Sequence, residues 1–281
     1  MKHESGISAE CIAASEYAGT KLYTLITRAP KSITDAEFEK HRMLSSNSSS
    51  SRAIPLSRTI DRVLGDPFVP FDVRRNQRGM QGDERLEGSE LAGFQQAWRD
   101  RAAATAVYAN CLHDEFNVHK QTLNRLLEPF VWQQKVVTAT EWDNFFALRL
   151  HPAAQPEMRI LAECMREAID RADVIELDDD DWHIPFERPG EEAMSLYERL
   201  MISAARCARI SYSNHGRTDI SYDADISLAE RLLDDGHCTP FEHQATPLHR
   251  WEERSHTDRA GRLWSGNFRN WVQFRKLIER V

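Results

Sequence analysis

Residues 40–52 read KHRMLSSNSSSSR. Lys40, His41 and Arg42 stand ahead of a run of hydroxyls, and Arg52 closes it. Guanidinium forks, hydroxyls and backbone N–H groups are the usual means of holding a phosphate. The stretch therefore reads as an anion pocket for a nucleotide or a flavin diphosphate. The plain alternative is a solvated basic turn followed by a flexible serine tract. Lys120 and Asn124 are four residues apart and share one helix face. Asn144 and Arg149 are polar positions in the otherwise apolar, aromatic stretch 142–150. A buried arginine must be paired, and an asparagine offers both donor and acceptor, which suits the edge of a uracil or flavin ring. Residues 237–243, HCTPFEH, place His237, Cys238, Glu242 and His243 close together. Their spacing fits no standard zinc signature and HExxH is absent, so a turn with polar ligand contacts is favoured over a metal-dependent hydrolase.

The elements that must position these residues follow from pattern. Residues 20–28 read as a strand ended by Pro30. Residues 35–44 read as a helix with Thr34 or Asp35 as cap. Residues 53–88, rich in glycine and proline, read as an ordered loop. A long helix follows from Ser89 to about 115, then helices over 117–128, 140–150 with Thr140 as cap, and 156–172 with proline in its first turn. Asp178 to Asp181 reads as a solvated acidic run. Helices are expected over 191–209 and 226–235, the latter stopped by Gly236. Residues 210–212 read as a short strand. Phe268, Trp271, Val272 and Leu277 are expected on one helical face at the end of the chain. The expected fold is α+β, helix-rich, one domain over 1–281, with a small mixed or antiparallel sheet.

The 281 residues are 41% hydrophobic and 28% charged, enough for a sizeable core and against wholesale disorder. No apolar run approaches the ~18 residues of a membrane span. A net charge of -8 argues against a general nucleic-acid coat. Five scattered cysteines without CxxC suggest neither a disulfide framework nor a zinc ribbon. With no apolar signal core at the N-terminus, a reducing cytoplasm is the expected setting.

Together these segments resemble the flavin-dependent thymidylate synthase family. The family's Arg-His-Arg, seven residues, serine motif is similar to Lys40-His41-Arg42 followed by Ser50. Its N-x4-R pattern resembles Asn144 and Arg149, with the AQPE stretch after them. Its A-R-V-S segment resembles 208–211, and its H-x-T-P-F-E-H matches 237–243. The resemblance covers approximately 20–160 and 200–281. In shorter members the TPFEH segment comes first; here it comes near the end, which implies a long, circularly permuted branch. Two departures stand out: Lys40 replaces an arginine, and Ser48 stands where an acidic residue is frequent. The hydroxyl-rich loop keeps UMP in play beside dUMP, and the chain also resembles UMP methylases of nucleoside-antibiotic pathways such as polyoxin.

The resemblance implies C5-methylation of UMP or dUMP. Methylenetetrahydrofolate would be the carbon donor, NADPH the reductant and FAD the hydride carrier. It implies that Arg52, Lys120 and Arg149 hold the nucleotide, with Arg149 offsetting charge that develops on the pyrimidine. Glu37 stands where the family has a nucleotide-contacting glutamine. Ser50, beside Ser51, would position or polarise the base. Lys40, His41, Arg42, Asn144, Ser211, Thr239 and Glu242 would line the flavin, with His237 stacked near flavin and folate. It further implies a homotetramer with shared sites, the long helix forming its core. The contrasting readings are a hydrolase using His237, Glu242 and His243, and a noncatalytic nucleotide-binding protein.

Overall fold

The computed structural model describes residues 1–79, 82–212 and 219–278. The serine tract is one strand of a five-stranded sheet of order β3-β4-β2-β1-β5. Its strands are β1 (Ser8–Tyr17), β2 (Thr20–Pro30), β3 (Ser45–Ser48), β4 (Trp132–Ala139) and β5 (Ile175–Glu176). β1 and β2 form a hairpin, and the tight turn between them needs positive φ at Ala18 and Gly19. β2 and β4 pair antiparallel from Tyr23↔Ala139 to Pro30↔Trp132. Thr, Leu and Ile make up most of β2, the middle strand of the sheet, and suit a packed pleated surface.

One face is covered by α6 (Pro156–Asp170), whose Met158, Leu161, Ala162 and Met165 are fully buried. With Phe145 and Phe146 of α5 (Asp143–Arg149) they close the largest core cluster. A second cluster joins α2 (Leu56–Gly65), α3 (Gly88–Phe116) and α4 (Lys120–Leu127) through Val63, Ala102, Ala106, Ala109, Leu123 and Leu127. A third joins α7 (Leu196–Arg209) to α8 (Tyr222–Asp234). α7 starts on a full capping box, Ser195 with Glu198. Its Arg206 forms a bidentate pair with Glu191 at 2.5 and 2.7 Å, both residues buried. The last segment folds as β6 (Ala245–Pro247), β7 (His256–Thr257), β8 (Leu263–Ser265), β9 (Phe268–Arg269), β10 (Trp271–Gln273) and α9 (Phe274–Ile278). The result is a helix-rich α+β fold with small sheets. Among the described residues no helix is long and apolar enough to cross a membrane.

Several expectations are corrected. The helix expected over 35–44 is α1 (Lys31–Phe38). β2 runs straight into it at Pro30, and Asp35 is not its cap but pairs with Lys31 and the buried Lys135 at 2.6 and 2.9 Å. Lys40, His41 and Arg42 consequently lie in the turn before β3. The serine tract is no linker: Ser45↔Thr138 to Ser48↔Lys135 pair as a strand. β1 and β4 are strands that no pattern in the sequence singled out. The loop 53–88 contains α2, started after Pro55, with Leu56, Thr59 and Val63 buried at helical spacing. Thr140 caps nothing; its Oγ1 accepts from the Arg269 N–H at 3.0 Å. Residues 210–212 form a 3-10 turn rather than a strand. Phe268, Trp271 and Val272 are strand residues, because Asn270 adopts φ 59 and turns β9 into β10; only Leu277 is helical.

Candidate active site

The loop after β3 is fixed from behind. Asn124, almost wholly buried on α4, donates both amide hydrogens, to the Ser51 carbonyl at 2.8 Å and the Ile54 carbonyl at 2.9 Å. Lys120, one turn earlier, donates to the Ala53 carbonyl at 2.9 Å. The Ser51 hydroxyl donates to Glu128 at 2.5 Å. The Ser50 N–H donates to the Ser211 carbonyl at 3.0 Å, which ties the loop to the turn after α7. Three backbone carbonyls and one hydroxyl are thus engaged on the buried side, and the opposite side of the loop faces a cleft.

That cleft measures about 510 Å³, within the range of small-ligand sites. Ser50, Arg52, Ser211, His237 and Thr239 line it, so five of the expected residues meet although the chain carries them in three separate segments. Asn47, His119, Gln121, Tyr212, Arg231 and Asp235 line it too, and no motif pointed to them. The Ser50 hydroxyl accepts from the Arg52 N–H at 3.3 Å.

A second pocket of about 300 Å³ lies on the other side of β3 in sequence. Lys40, His41, Arg42 and Asn144 line it, with Phe145, Glu141, Arg262 and Trp264. Leu44 lines this pocket and Asn47 the cleft, roughly 10 Å apart as extended chain. Arg149 stands beside it. Its Nη1 pairs with Glu37 at 2.5 Å, and its Nε donates to His41 Nε2 at 2.8 Å. His41 is therefore the neutral Nδ1–H tautomer. Burial lowers its pKa, and the Arg149 charge lowers it further. Burial alone would raise Glu37, but Lys40 and Arg149 outweigh it and hold the carboxyl below its ordinary range. Glu37, Lys40, His41 and Arg149 thus form one linked group. Arg149 is paired, as a half-buried arginine must be.

Ser51, Lys120, Glu37 and Arg149 line neither the cleft nor each other's pocket: the first two hold the loop, the last two flank the second pocket. Glu242 lines neither; its carboxylate is engaged by Arg275, and the Glu242 carbonyl accepts from Gln273 at 3.0 Å. The hydrolase constellation is not assembled. His237 is exposed in the cleft, Glu242 is held by Arg275, and His243 is fully buried with Nδ1 on the Thr138 hydroxyl at 2.8 Å. Among the described residues no three metal-ligating side chains converge. His243 instead ends a buried chain through Thr138, Thr24 and His183 to Ser15, with links of 2.7 to 2.9 Å. Burial presses both histidines down to about 3.

The fold is similar to that of a UMP/dUMP methylase. The solved structure of PolB from Streptomyces cacaoi, bound with 5-Br UMP, superposes with a TM-score of 0.50 at 14% identity. The match covers 61% of this chain and 92% of that one. A flavin-dependent thymidylate synthase, ThyX from Helicobacter pylori, complexed with FAD and dUMP, matches at a TM-score of 0.37 and 15% identity. It covers 53% of this chain and 67% of that one. No family model matches the sequence, and no curated protein does.

Proposed function

We propose that this chain is a methylase of uracil mononucleotides, UMP or dUMP. The observation that carries the reading is the cleft. It joins the serine loop to the 208–211 and 237–243 segments through the Ser50–Ser211 hydrogen bond, within a fold similar to that of PolB. In this reading Arg52 binds the phosphate, Ser50 and Ser211 orient the base, and His237 and Thr239 close the far wall. Arg149, held by Glu37 and His41, is a positioned cation at the edge of the second pocket. A cation whose geometry is set in advance offsets developing negative charge without reorganising.

The second pocket fits one end of a flavin dinucleotide. Lys40 and Arg42 supply charge for a phosphate, Asn144 a donor and an acceptor, and Phe145 and Trp264 flat apolar faces. A bound FAD would carry the hydride, with NADPH as reductant and methylenetetrahydrofolate as carbon donor. The protein's own part is to bind, orient and exclude water. The reading includes a cytoplasmic homotetramer with shared sites and a permuted chain order. The exposed Val107, Tyr108 and Phe116 of α3 support assembly through that helix.

The test is a complete reaction: purified protein, FAD, NADPH, methylenetetrahydrofolate, and UMP or dUMP in parallel, with the nucleotide analysed by mass. Gain of one methyl group at C5 supports the reading. Nucleotide binding without turnover or flavin oxidation would replace it with the noncatalytic one.

A further inference from the structure

α8 presents one face to the cleft. Leu228, Arg231, Leu232 and Asp235 all line it, and their spacing of three, one and three is a single helical stripe. The helix is anchored elsewhere. Ser221 caps it, Ala229 is buried on the α7 side, and Arg209 of α7 pairs with Asp225 at 2.7 Å. Its first turns are therefore fixed by α7, and Arg231 lines the cleft beside Leu228 and Leu232.

The charge accounting of the cleft is unusual. Of the cations expected to hold a phosphate, Lys120 is engaged by the Ala53 carbonyl and Arg149 by Glu37 and His41. Arg52 remains, and the guanidinium that shares the cleft with it is Arg231. Neither forms an ion pair among the described residues, although Asp235 lies one turn beyond Arg231 on the same stripe. Two arginines on one cleft match an anion that can accept from both guanidinium groups, as a phosphate does.

We infer that Arg231 is a phosphate-binding residue, and that it and Arg52 clamp the 5′-phosphate of the nucleotide from opposite walls of the cleft. The inference rests on the nucleotide reading for the identity of the ligand, but the anion site stands on the clamp itself. Arg231 acts on affinity, through the phosphate and not through the base.

The experiment is calorimetric titration of the full chain and of Arg231→Gln with UMP, uridine and inorganic phosphate. A solvent-exposed arginine without an ion pair is replaced without a folding penalty, which circular dichroism checks. The expected result is a loss of UMP affinity of about ten- to a hundredfold in Arg231→Gln, with uridine binding unchanged. Phosphate binding should weaken in parallel. Loss of phosphate binding in the variant, with no binding of UMP by either protein, would keep the anion site and discard the nucleotide reading. Equal affinity of wild type and variant for UMP and phosphate would overturn the inference. So would a wild type that binds neither, or a uridine affinity that falls as far as that of UMP.

Discussion

Asn124→Ala tests how the serine loop is held. The side chain is 1% exposed and makes two hydrogen bonds, 2.8 and 2.9 Å, to the Ser51 and Ile54 carbonyls. Each bond is worth about 1 kcal/mol net, and a buried carbonyl left without a donor costs about 1–3 kcal/mol. A small offset comes from Asn124 Oδ1, which has no partner among the described residues and would be deleted with the rest. The expected destabilisation is roughly 3 kcal/mol. Urea unfolding followed by tryptophan fluorescence measures it. The loop also carries Ser50 and Arg52, so UMP affinity should fall in the folded variant as well. Asn124→Asp keeps the shape but sets an acceptor against two carbonyls, and should be at least as damaging. A loss below about 1 kcal/mol in the alanine variant, with UMP affinity intact, would refute the claim that α4 holds this loop.

Arg149→Ala should abolish nucleotide methylation, and it leaves His41 Nε2 without its donor and Glu37 with Lys40 alone; a variant with near wild-type turnover would show that the linked group is structural. Glu191→Gln breaks a buried bidentate pair with Arg206 and should cost about 3–5 kcal/mol by thermal or chemical unfolding. His183 and His243 are held neutral in the fold, so the unfolded chain takes up protons there first as pH falls. Their contribution to stability is complete above about 6.5 and is lost as pH falls from there towards about 3. Each adds up to about 1.4 kcal/mol per pH unit, and His243→Gln should flatten an unfolding series across that window. Replacing Val107 and Tyr108 by Asp should yield a smaller species in sedimentation if α3 is the assembly face.

The sequence showed the chemistry better than its carriers. The serine loop and 237–243 were legible because hydroxyl, guanidinium and imidazole groups cluster within a few residues. α3, α4 and α6 were legible because their apolar spacing is helical. β4 was not: in QQKVVTA the buried Lys135 and Gln133 read as surface, and only the partners across space, Asp35 and the Ser49 carbonyl, make them interior residues. The turn at 210–212 and the strands at 268–273 failed for a related reason. β-branched and aromatic residues fit either state, and the decision came from Asn270's backbone and from β6 as a partner. Arg231 went unread because a single arginine on a surface helix carries no local signal. Only the position of α8 against the serine loop distinguishes it.

The Ser50–Ser211 hydrogen bond joins residues about 160 apart in the chain. The cleft is therefore a product of chain closure rather than of any local segment. Closure of so long a loop is entropically late in folding. A chain emerging from the ribosome would have its serine strand paired with β4 well before the opposite wall exists. Ligand affinity then appears in one step, when the last third docks. A nucleotide bound across that seam would hold the serine loop against the 208–240 part of the chain, raising stability as its concentration rises above the dissociation constant. The concentration of such a ligand would thus govern how long the protein survives in the cell.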